Sequence, residues 1–360
     1  MRSVRLTVSA LAVLVIAGVS TGCAGNSGPT SAENSPPATS SPPAPFAWPT
    51  GTPVAAAPVD VLVGDVMRLV DGRRLSLAWA GPYPRATRIP AGWLVVGGAD
   101  MPRTWLLRDD GTRLELPGVA FPALSSDGRR LAYRAGDTIV LAEINPAGLH
   151  TVASTSGTGK FGPAMIVGDA LVLSYTETGG GPDGYDTWYP SRGAYRPSPR
   201  SGILVAAALP DTTLLGFDGA RCLALIDRRT MAPARRACGL NIIPTWDMPV
   251  SPDGHWALAL TYAADKEHGS EVAMIDLTTV FDAPRLAVRW PVPPNHDIKP
   301  DACVWPDAVT ALCGSIGALV RLPVTTPSAA TLLVLPDVAI EPGTDSAYAV
   351  VPVPRRGVSR

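Results

Sequence analysis

Within eleven residues, Tyr185, Trp188, Tyr189, Arg192 and Tyr195 bring together rings and a guanidinium, the mixture that dominates interaction hot spots. Just before them, the insert Thr176 to Asp186 sets Glu177, Asp183 and Asp186 among glycines. These are oxygen donors of the kind calcium prefers, but their spacing matches no EF-hand loop. His268 closes the run Asp265-Lys266-Glu267, and His296 stands beside Asp297 and near Asp301, so the His296 imidazole with those carboxylates could ligate a metal or exchange a proton near neutral pH. The remaining histidines, His150 and His255, are dispersed, and H-E-x-x-H is absent. No catalytic residue, metal or cofactor is assigned on this basis. The candidate ligand-binding residues are Tyr185, Trp188, Tyr189, Arg192, Tyr195, His268, His296 and Asp297.

Two apparent motifs fail on their own chemistry. Thr158-Gly159-Lys160 resembles the end of a phosphate loop, but Ser154 stands where the first Gly is needed and Phe161 where Ser or Thr must follow. Gly18 to Gly22 fits G-x-S-x-G, yet it lies in a segment read below as a removable leader and lacks a strand-turn-helix context.

The elements that must position these residues show themselves through a period. Asp127, Asp169, Asp211 and Asp253 recur every 42 residues, each between two apolar, strand-like runs. Four-stranded propeller blades repeat at about 40 to 45 residues. An Asp oxygen can accept hydrogen bonds from backbone N–H groups just ahead of it, and a following Gly supplies positive φ, so these aspartates are read as turn formers and not as catalysts. The segments SSDGRRLAY at Asp127 and SPDGHWALAL at Asp253 resemble the repeats of TolB-like and WD40-like bacterial propellers. That resemblance implies a fold and leaves function to be argued from the site.

Taking each Asp turn as the corner between first and second strands places corners near Ala91, at the four periodic aspartates, and at Asp307. The strand-like sequence left at the two ends makes one more blade, with two strands expected from each terminus. The expectation is an all-β, seven-bladed propeller of four-stranded blades closed by N- and C-terminal strands; six or eight blades would absorb or split a weak repeat. In such rings the second-to-third-strand loops and the blade-to-blade connections share one face. On that rule the 176–186, 265–268 and 291–301 segments cluster together. Trp188 and Tyr189 would equally serve to fill space between blades.

The N-terminus speaks to destination. Arg2 and Arg5 precede an apolar stretch from about Leu6 to Val19, too short to span a bilayer and suited to a secretory signal. Val19-Ser20-Thr21-Gly22-Cys23 resembles a bacterial lipobox, which implies a signal over 1–22 and a lipidated, palmitate-bearing Cys23. Ser20 departs from the usual aliphatic residue, so simple secretion is the alternative. Residues 23–58 are rich in Pro, Ser and Thr and read as a tether with polyproline character; residues 59–360 form the folded domain. Four further cysteines, an even number in an exported chain, read as disulfides. Cys222 with Cys238, and Cys303 with Cys313, each straddle a hairpin turn symmetrically, and a four-Cys zinc site lacks C-x-x-C spacing.

Net charge is −1, with no basic stripe, which excludes nucleic acid as a partner on electrostatic grounds. The reading is a lipid-anchored binding or scaffolding module on the outer face of the bacterial cytoplasmic membrane, with an envelope protein, peptide or glycan as partner. The alternative is an envelope lyase or hydrolase working on the loop-rich face. Nothing in the sequence sets an oligomeric state.

Overall fold

The computed structural model describes residues 51–350 except 56, 83, 99–101, 178–181, 263–269, 292–297, 299–302, 316–317 and 336–347. Blade I comprises Arg85–Ile89, Gly92–Gly97, Arg103–Leu107 and Arg113–Glu115. Blade II comprises Ala123–Leu124, Arg130–Ala135, Thr138–Asn145 and Gly148–Ser156. Blade III comprises Phe161–Val167, Ala170–Tyr175, Gly184–Trp188 and Arg200–Ser201. Blade IV comprises Ile203–Ala208, Leu214–Asp218, Leu223–Asp227 and Ala232–Ala237. In blade V, Trp256–Tyr262, Ser270–Asp276 and Val288–Pro291 follow an inner segment held by the bridges Ile242 to Thr261 and Val250 to Ala257. Blade VI comprises Cys303–Val304, Thr310–Ser315, Ala318–Pro323 and Thr331–Val334.

Blade VII joins the two ends of the chain: Tyr348–Val350 pairs with Val61–Val63, followed by Val66–Arg68 and Arg74–Ser76. Among the described residues the split is therefore one strand from the C-terminus and three from the N-terminus, not two and two. The N-terminal strands are three residues each, and the Gly64 turn divides what reads in sequence as one strand. The tether boundary also shifts. Thr52–Pro53 adds a fifth strand to blade VI, parallel to Thr331–Val334, and Ala57 is buried with Val61, Leu319 and Leu335.

What closes the ring is apolar burial between blades. Each core cluster spans one junction: Leu62 and Met67 meet Trp93 and Trp105 between VII and I, Leu94 and Leu106 meet Leu131 between I and II, and Ile139 meets Leu171 and Trp188 between II and III. The series continues with Val172 and Tyr185 against Leu214 and Ile226, Phe217 against Ile275, Met274 against Val320, and Val61 against Leu319. Successive strand residues point to opposite faces, and here both faces of a middle strand are covered. Leu171 and Leu173 serve one junction while Val172 between them serves the next.

The two ends of the ring are built differently. On one lie the Asp turns: Asp127, Asp211, Asp253 and Asp307 each accept the backbone N–H two residues ahead. Asp71, Asp110, Asp227 and Asp276 do the same at third-to-fourth-strand turns. Asp169 differs, because Gly168-Asp169 is a two-residue hairpin turn and its carboxylate faces Arg228 at 3.3 Å. Arginines knit neighbouring blades here: Arg73 to the Asp109 carbonyl, Arg108 to Pro146, Arg130 to Gly168 and Arg228 to Val167.

Two predictions arise from this face. Burial works to raise the Asp127 and Asp253 pKa values, but bonds from Ser125 or Ser251 and from the backbone two residues on outweigh it and hold both below the usual carboxylate range. Depressed folded values mean stability that is present above the unfolded pKa and lost as pH falls through the folded one. The Asp127→Asn, Asp253→Asn double variant should accordingly show a shallower loss of urea midpoint below about pH 4 than the parent. Thr212 occupies the position held by Gly128 and Gly254 in the other turns, at φ 71°, a conformation costly for a β-branched residue. Thr212→Gly should stabilise the fold by about 1 kcal/mol, measured by urea titration.

Candidate functional site

The opposite end gathers the loops. Ser156 pairs with Thr138, and Thr158 and Gly159 bond to Asp137. The blade-to-blade connection thus packs directly on the second-to-third-strand turn, and the two loop types share a face as the fold requires.

Three large aromatic side chains stand exposed on this face. Phe121, 74% exposed, precedes the inner strand of blade II; Trp246, 59% exposed, lies in the connection from blade IV to blade V; Tyr262, 48% exposed, ends the second strand of blade V. The other exposed large hydrophobics among the described residues are valines. Trp246 sits in an excursion between the two inner bridges of blade V, whose entry is set by Asn241 in the left-handed region, with its amide donating to the Tyr262 carbonyl. Phe121 is also left-handed, at φ 47°. It borders a cavity of about 530 Å³ with Ala120, Arg134, Gly136, Gly162, Pro163 and Ser174, between the inner strands of blades II and III.

Beside that cavity, Lys160 Nζ donates to Glu177 at 2.6 Å, and the same carboxylate accepts from Tyr175. The bond to Glu177 raises the Lys160 pKa, and bonding to Lys160 lowers that of Glu177. The pair is solvent-exposed, so it orders the loop edge more than it stabilises the fold.

The aromatic and arginine run from Tyr185 to Tyr195 is elsewhere. Tyr185 is 2% exposed, in the III–IV junction, and Trp188 is 3% exposed, in the II–III junction. Their rings are core, because the third strand of a blade is covered on both faces. Trp188 Nε1 donates to the Gly193 carbonyl at 2.9 Å, and desolvation pushes the Tyr185 phenol up to about 12. Tyr195 is buried too, donating its hydroxyl at 2.8 Å to Asp186, which also accepts from the Thr187 and Ser198 backbone. Burial first, then Asp186, drive the Tyr195 pKa upward. Tyr189 is half-buried with Arg192 stacked at 4.2 Å. Both follow Trp188, which pairs with Leu171 beside the Gly168 turn, so they lie at the Asp-turn end and not on the loop-rich face.

Asp186 is committed to this internal network and Glu177 to Lys160, so they do not converge with Asp183 on a cation. Among the described residues no group of three His, Cys, Asp or Glu is placed to hold a metal ion. His268, His296, Asp297 and the proposed lipid site Cys23 lie outside the described residues. Both expected disulfides are present, Cys222–Cys238 with Cα atoms 4.4 Å apart and Cys303–Cys313 with 3.9 Å. Sequence reasoning passed over Phe121, Arg134, Trp246 and Tyr262. The available signal was an aromatic set beside a proline in a connection: Phe121-Pro122, and Pro244-Thr245-Trp246.

Seven separate sheets packed face to face in a ring, one of them built from both chain ends, with aromatics at one end of the ring, define a seven-bladed β-propeller with a decorated loop face. No family model and no curated protein matches the sequence. Solved structures do. A puromycin hydrolase variant, S511A in that protein's own numbering, aligns with TM-score 0.51 and 14% identity over 83% of this chain, which spans only 55% of the hydrolase. A Bacteroides fragilis protein described as a candidate 6-phosphogluconolactonase aligns with TM-score 0.45 and 14% identity, covering 81% of this chain and 95% of its own. The dihydro-heme d1 dehydrogenase NirN aligns with TM-score 0.44 and 16% identity, over 81% and 77%. At 14% identity the likeness to the hydrolase speaks to the fold alone.

Proposed function

We propose that this chain is a lipid-anchored extracytoplasmic propeller that binds or scaffolds an envelope protein or glycan through its loop-rich face. The observation behind this reading is that Phe121, Trp246 and Tyr262 all stand exposed on one face, where burying them in a fold would have been favourable by about 1.5 to 3 kcal/mol each. Aromatic anchors of this kind dominate binding energy when a partner covers them. The lipobox-like Val19 to Cys23 supports placement at the outer face of the cytoplasmic membrane.

Two experiments test the reading. Cys23→Ser should release the protein from the membrane fraction; retention under high salt would remove the anchor. Trp246→Ala with Tyr262→Ala should weaken capture of envelope material by about 30-fold, since loss of an anchor costs about 2 kcal/mol or more, while the melting temperature stays within a few degrees. Undiminished capture by the double variant would reject this face as the binding surface.

A further inference from the structure

Phe121 departs from what folding alone favours in two ways. Its φ of 47° suits glycine, and its ring is 74% exposed. Residues held in such sparsely populated backbone regions concentrate where ligands are gripped. In the same lining, Arg134 donates through Nε to the Gly136 carbonyl at 2.8 Å. That bond fixes the guanidinium at the rim, and Arg134 has no carboxylate partner among the described residues. Pro163 and Ala120 complete the apolar lining, Gly136 and Gly162 leave backbone uncovered by side chains, and the Ser174 hydroxyl points to the Gly162 carbonyl at 3.3 Å.

From this set we infer that the cavity between blades II and III is a subsite for an acidic sugar residue. This rests on the binding role proposed above and names its ligand class. The volume of about 530 Å³ lies in the range of small-molecule sites, about 300 to 1,000 Å³. An exposed ring is a platform for the C–H face of a pyranose. Arg134 offers the paired N–H groups that recognise a carboxylate. Glycine backbone and the Ser174 hydroxyl suit ring hydroxyls. The Arg134 guanidinium, without a carboxylate partner among the described residues, favours an anionic ligand over an uncharged peptide side chain.

The test is titration of the full chain with D-glucuronate, D-glucose and acetyl-alanyl-alanine, followed by saturation-transfer NMR and calorimetry. Glucuronate should bind about tenfold more tightly than glucose, the worth of one charge-assisted contact. Arg134→Gln should abolish that preference. Phe121→Gly should lose both sugars while leaving the melting temperature unchanged or higher, because glycine relieves the left-handed backbone; a merely structural Phe121 would show the thermal effect with sugar binding intact. Absence of glucuronate binding, its persistence in Phe121→Gly, or stronger binding of the dipeptide overturns the subsite. If envelope capture remains sensitive to Trp246 and Tyr262 in any of those cases, only the acidic-sugar assignment falls and the binding role stands.

Discussion

Truncating Tyr185 and Trp188 together to Ala should lower stability by about 6 to 10 kcal/mol, because each buried ring lost costs about 3 to 5 kcal/mol. The two costs should nearly add. The rings lie on opposite sides of one strand, Tyr185 among Val205 and Leu214, Trp188 among Ile139 and Leu173. Trp188 also loses its bond to Gly193. Against a total stability of about 5 to 15 kcal/mol for a folded domain, such a protein should be largely unfolded at 25 °C, read by circular dichroism and urea titration of the single and double variants. A double variant within 2 kcal/mol of the parent would refute the junction packing described above.

Removing either disulfide should cost about 3 kcal/mol, since loops closed over 16 and 10 residues differ by less than about 0.5 kcal/mol in the chain-entropy model. The two should nevertheless separate under reductant. Cys303 and Cys313 are both buried, in the V–VI junction, whereas Cys238 is exposed at the edge of blade IV. Exchange requires access to a sulfur, so thiol trapping during a dithiothreitol titration should find Cys222 and Cys238 first, with Cys303 and Cys313 appearing only as the fold melts. Simultaneous release in the native state would contradict the burial of the second pair.

Local chemistry was legible and global facing was not. The corners at Asp127, Asp211, Asp253 and Asp307 follow from a carboxylate reaching two residues ahead, and the Cys303 to Cys313 register follows from hairpin symmetry; both involve residues close in sequence. The closing blade was divided incorrectly because Val61–Val63 and Val66–Arg68 are too short to show alternation. For Tyr185 and Trp188 the choice between binding and packing stayed open for a deeper reason. Whether an aromatic on a third strand faces solvent depends on the adjacent blade, whose residues are some 20 to 50 positions away. The site was harder still: Phe121 combines exposure with a left-handed backbone, which composition does not announce.

The fifth strand on blade VI fixes how the folded ring bears tension. Thr331–Val334 leaves the Pro327–Ala329 turn on the Asp-turn side and runs toward the loops, and Thr52–Pro53 runs parallel to it. Any pull applied ahead of Thr52 would load the Thr52 to Leu333 ladder along its length, on the blade that is also cross-linked by Cys303–Cys313.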